Sequence, residues 1–167
     1  AILVLQRGRR AEAIRSLKVA LELDPTSVIT VLVLAGAYDA AEQWDEARSS
    51  YQQAENLAPD YHLVHSTAML HDLLRGDDMG AAWHHRRWME LTGSDTAASA
   101  AMERRLRDPA SRAAALREIA STWPEPVLPA VVTRVVDGDV AMISFLERLP
   151  GTPALASLNR LYLMPFI

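Results

Sequence analysis

All five histidines of the chain fall between positions 62 and 85. Imidazole is a common metal ligand and the side chain that exchanges protons most readily near neutral pH. His62 and His65 stand three residues apart, a spacing that sets two ring nitrogens on one face of a helix. Two imidazoles leave a tetrahedral zinc short of ligands, and a site would close only if His85 or Asp72 converged from a neighbouring helix. The expectation is surface or packed histidine, with no metal and no cofactor.

The adjoining stretch Trp83, His84, His85, Arg86, Arg87, Trp88 mixes bases with aromatics, the chemistry that stacks on nucleobases or holds an anionic group. On a helix Trp83 is close to Arg87, and both indoles sit where a second helix of a hairpin carries its large core residues. This arrangement favours packed rings with snorkelling arginines over an acidic protein partner, and either over nucleic acid. Asp77 and Asp78 follow Gly76, where short carboxylates make turn and helix-cap hydrogen bonds. The chain has no phosphate-cradling glycine loop, no nucleophile elbow and no HExxH helix. No catalytic residue is expected, and the chain reads as a non-enzyme.

Composition narrows the partners. With 21 acidic against 17 basic residues and a net charge of -4, the chain has no broad attraction for phosphate backbones or anionic membranes. No apolar run reaches the roughly 18 to 20 residues of a spanning helix, so a soluble chain is expected, with cytoplasm the weakly favoured compartment. The absence of cysteine leaves the redox compartment open. The apolar first residues and the apolar run Leu163 to Ile167 read as the cut ends of a fragment of a longer chain.

The elements that must carry these residues repeat. Ala13, Leu17, Ala20 and Pro25 recur 34 positions later as Ala47, Tyr51, Ala54 and Pro59, and Ala81 begins a degenerate third copy. Ala13, Leu17, Ala20 and Leu21 share one helical stripe, so each unit reads as an amphipathic helix whose small residues let a neighbouring backbone approach. Such a unit buries its apolar face only by stacking on the next.

At this spacing the sequence resembles the tetratricopeptide-repeat (TPR) family, most closely over residues 8 to 60. Gly8 to Ile14, Gln43 to Ala47 and Gly76 to Ala81 are similar to the family's inter-helix turn and second-helix start. Val31, Leu34, Ala35 and Tyr38 occupy its large, leucine, small and tyrosine positions on the first helix. The resemblance implies an all-α fold, a right-handed solenoid of stacked antiparallel helix hairpins. Residues 1–93 would form the repeats, the first truncated and the third degenerate, and residues 94–167 diverged hairpins continuing the same solenoid.

Past residue 93 the period fades but helix punctuation continues. Ser94 or Asp95 caps a helix with Ala98, Met102 and Leu106 on one face, and Asp108 with Pro109 opens the next, carrying Ala113, Leu116, Ile119, Ala120 and Trp123 inward. Leu128, Val131, Val132, Val135 and Val136 read as a helix by their three-to-four spacing, with a valine-rich strand the rival. Val140, Ile143, Leu146 and Leu149 form a further helix, and Thr152 with Pro153 starts the last.

The resemblance also implies a function: binding an extended segment or helix of another protein along the face lined by first helices. The family's groove positions fall on Ile29, Leu32, Gly36 and Asp39, then on Leu63, Ser66, Leu70 and Leu73. This mostly apolar set lacks the Lys, Arg and Asn with which the chaperone-tail-binding subclass clamps a terminal carboxylate. The partner is thus expected to be an apolar peptide or helix, from another protein or from the same longer chain, with a homo-oligomer left open. Gly138, Asp139 and Phe145 to Arg148 are also similar to terminal repeats in multidomain bacterial signalling proteins and transcription regulators. That likeness supplies the alternative, a regulatory or sensor module.

Overall fold

Residues 2–123 and 127–147 are described in the structure, a computed structural model. They form nine helices: α1 (Ile2–Leu23), α2 (Val28–Ala40), α3 (Trp44–Leu57), α4 (His62–Arg75), α5 (Asp78–Leu91), α6 (Thr96–Arg107), α7 (Arg112–Thr122), α8 (Val127–Asp137) and α9 (Asp139–Glu147). No strand occurs among the described residues, and the fold is all-α, of helices packed in succession. The helix expected from Thr152 onward lies outside the described residues. The chain divides by packing into two compact units that meet in sequence at Asp60 and Tyr61.

In the first unit α2 packs against both α1 and α3. Ser27 caps α2 through its hydroxyl, which accepts from the Thr30 amide at 3.4 Å. Asp24 organises the preceding turn by accepting from the amide and hydroxyl of Thr26. The repeat register holds on α2 and α3: Val31, Leu34, Ala35 and Tyr38 are buried, and so are Tyr51 and the fully enclosed Ala47 and Ala54, each 0% exposed.

The register fails on α1. Ala13 is exposed and Leu17 and Ala20 only half-buried, while Ile14 is the residue that turns inward. The turn expected at Gly8 to Arg10 is absent as well, since α1 runs helical from Ile2 to Leu23. Glycine inside a helix costs only about 1 kcal/mol relative to alanine, which the strong helix formers around Gly8 offset. Within this unit the main neighbour of α1 among the described helices is α2.

The second unit strings α4 to α9 together by neighbour contacts, with one addition: α8 returns to pack against α4. An open repeat array touches only its neighbours, so this contact closes α4 to α8 around a shared core. Met69, Leu70 and Leu73 of α4 meet Ala81 and Ala82 of α5, Leu106 of α6, Leu116 and Ile119 of α7, and Leu128, Val131 and Val132 of α8. The valine run is helical because its three-to-four spacing presents one continuous face to that core, which outweighs the strand preference of valine.

Local chemistry sets the ends of these helices. Gly76 closes α4 at φ 71°, where a side chain would be strained, and the Asp77 amide donates back to the Asp72 carbonyl at 2.9 Å. Asp95 caps α6 by accepting from the amides of Ala97 and Ala98. On α6 it is Ser99, not Ala98, that is buried beside Leu106. Helix α7 begins at Arg112, not at Pro109: Asp108 instead holds the turn, accepting from the Ala110 amide and the Ser111 hydroxyl.

Candidate functional site

The eight groove positions divide unequally. On α2, Leu32, Gly36 and Asp39 are buried, and Ile29 stays 50% exposed with Val33 beside it on the next turn. On α4, Ser66, Leu70 and Leu73 are buried, and Leu63 is 36% exposed. Little apolar area is therefore left open at the groove positions Leu32, Leu70 and Leu73. Leu70 and Leu73 lie in the core with the α8 side chains Leu128, Val131 and Val132. Ser66 donates its hydroxyl to the Leu63 carbonyl at 3.1 Å. Asp39 is also internal, accepting from the Tyr51 hydroxyl at 2.9 Å. A period count places residues on a helix face but does not register a non-neighbouring helix such as α8 that comes to lie on that face.

The histidines are mostly interior. His65, His71, His84 and His85 are buried, whereas His62 is exposed and packs its ring edge-on to Tyr61. The two histidines three residues apart, His62 and His65, thus sit in different surroundings. His65 meets His84 of α5, Nδ1 to Nδ1 at 3.2 Å, a link across 19 positions that spacing alone could not reveal. The Nε2 of His84 faces the Asp72 carboxylate at 3.6 Å. Burial, and next the adjacent His65, hold the His84 pKa down at about 4 against the raising effect of Asp77. Burial alone lowers His85 to about 4. No group of three or more metal-ligating side chains converges among the described residues.

The basic-aromatic stretch is largely consumed internally. Arg86 bridges Glu90 and Glu103 at 2.8 and 2.9 Å, Arg87 pairs with Glu90 at 2.9 Å, and Arg107 reaches Glu103 at 2.6 Å. Trp88 stacks on Trp123 with ring centroids 4.6 Å apart. Trp83 is less enclosed than expected, at 43% exposure, and leans edge-on against both His65 and His84. Asp77 takes the cap role expected of it, accepting from the Gly80 amide at 2.9 Å, while Asp78 pairs with Arg112 at 2.5 Å. A cleft of about 230 Å³ opens beside that ion pair between Leu116 and Val136, smaller than the roughly 300 Å³ at which small-molecule sites begin.

These features describe helix pairs packed in succession, with small residues at their crossings. No helix among the described residues is long and apolar enough to cross a membrane. No curated protein and no solved structure matches the chain significantly. Residues 4–69 do match the family model described as tetratricopeptide repeat, in agreement with the 34-residue phase and with the buried Ala47, Tyr51 and Ala54. Over that stretch the chain is similar to the tetratricopeptide-repeat family.

Proposed function

We propose that the chain is a protein-interaction scaffold whose first-helix faces accept an apolar peptide or helix from another protein. Tetratricopeptide repeats are typically non-catalytic interaction modules, and fold alone does not name a ligand. The observation that carries the finer reading is the α4 face itself. Its groove positions Leu70 and Leu73 are covered by α8, an amphipathic helix presenting Leu128, Val131 and Val132. A face that receives one apolar helix from its own chain has the chemistry to receive such helices in general. On α2, Ile29 and Val33 remain exposed and are the side chains a partner would meet first. The extent of the repeats over residues 1–93, with diverged hairpins over 94–167, and the absence of catalysis belong to the same proposal.

The test uses Ile29→Asp with Val33→Asp in the intact protein. The expected outcome is an unchanged helical circular-dichroism spectrum with loss of the proteins that co-purify with the parent. A folded double variant retaining the same partners would remove the α2 face from consideration. A second reading, a regulatory module of a longer chain, is favoured by the same α8 contact, because there the groove positions are filled from within. It predicts that added fragments of the longer chain, and not foreign proteins, bind the parent.

A further inference from the structure

The buried imidazole pair between α4 and α5 has no role in the scaffold reading, yet its geometry restricts which protonation states the hairpin can hold. The Nδ1 atoms of His65 and His84 lie 3.2 Å apart, so one ring must donate and the other accept. The other nitrogen of His84, Nε2, faces the Asp72 carboxylate at 3.6 Å, so either tautomer of the pair leaves a single proton between the two Nδ1 atoms. Trp83 lies edge-on to both rings. Gly80 leaves room for the carboxylate, since a Cβ at that position would come 2.5 Å from Asp72 Oδ2.

The pair tolerates one added proton, because the Nδ1 bond survives it. A second proton sets N–H against N–H in a buried site, and the two rings must part. The geometry points to an acid-operated latch: charging of His65 and His84 together releases α5 from α4 while the first unit stays folded.

The surrounding charges are consistent with a poised pair. His71 and Asp72 on α4 and Asp77 ahead of α5 flank His84, with His71 opposing its protonation and Asp77 favouring it. On α6, which packs against α5, Glu103 is held by Arg86 and Arg107. On α8, which packs against α4, Arg134 is paired with Asp139 at 2.8 Å. Release of α5 would loosen the wall of the core that joins Leu70 and Leu73 to α8, which ties the latch to the proposed interaction face.

The test is hydrogen exchange with mass spectrometry on the intact chain, alongside NMR titration of the imidazole nitrogens, from pH 7 down to about pH 4. The expected result is that protection of α4 and α5 falls by about tenfold or more with uptake of the pair's second proton, before that of α2 and α3 changes. His84→Gln, which keeps an acceptor for His65 but takes up no proton, should move the local opening to lower pH. Asp72→Asn removes the charge that favours the second proton and should move it the same way, serving as the readout if His84→Gln does not fold. His85→Gln, outside the pair, should leave the local step in place. The idea is overturned if α4 and α5 open only together with α2 and α3, or if Asp72→Asn opens at the parental pH.

Discussion

The Tyr51 hydroxyl on α3 donates to the Asp39 carboxylate on α2 at 2.9 Å, and both side chains are buried. The carboxylate therefore gains a partner inside the repeat, and the phenol spans the hairpin it belongs to. Tyr51→Phe removes the donor while keeping the ring. The expected cost is about 1 to 3 kcal/mol, because the carboxylate loses a hydrogen bond that water cannot replace. Urea denaturation of parent and variant measures it, and equal midpoints would mean that the bond contributes nothing net.

Ala47 and Ala54 are fully enclosed on α3. Ala47→Leu inserts volume where α3 faces α2, and overpacking of this kind costs roughly 1 to 3 kcal/mol. Gln52→Ala, at an exposed position of the same helix, should change stability by less than about 0.5 kcal/mol. Thermal melts of both against the parent decide the point, and a parental melting temperature for Ala47→Leu would contradict the observed burial.

Leu73 and Leu70 distinguish core from groove. Leu73→Asp buries a carboxylate against α8 and should unfold the second unit, whereas Leu63→Asp at a partly exposed position of the same helix should leave the helical spectrum and melting temperature close to the parent's. A folded Leu73→Asp protein would show that the α8 cover lifts easily.

Stability should fall in mild acid. His84 and His85 have folded-state pKa values lowered from 6.5 to about 4, so each binds a proton more readily once unfolded. Their stabilising contribution is complete above the unfolded value and is lost as pH falls through the interval from 6.5 toward 4. Between pH 7 and pH 5 the loss is about 1 to 2 kcal/mol for each ring. Denaturant midpoints measured at the two pH values check it, and an unchanged midpoint would indicate that both rings are far more hydrated than their burial suggests.

The sequence by itself determined the helices and the repeat. Periodicity, small residues at fixed phase and the caps at Ser27, Asp77 and Asp95 are local signals, and each acts within one or two turns of the backbone. For that reason the helical reading of residues 128 to 136 held, as did the burial of Ala47 and Ala54. The same local rule failed at Ala13, whose phase is right but which stays exposed on a helix that packs chiefly against α2 in its unit.

Only the tertiary structure decided what meets across distance. The return of α8 to α4 buried Leu70 and Leu73, and the approach of α5 to α4 paired His65 with His84. Such contacts arise from the way several helices share one core volume, and no residue spacing within a single helix encodes that. Chemistry near residue 65 was legible as a histidine cluster, but its partner and its burial were properties of the packed hairpin.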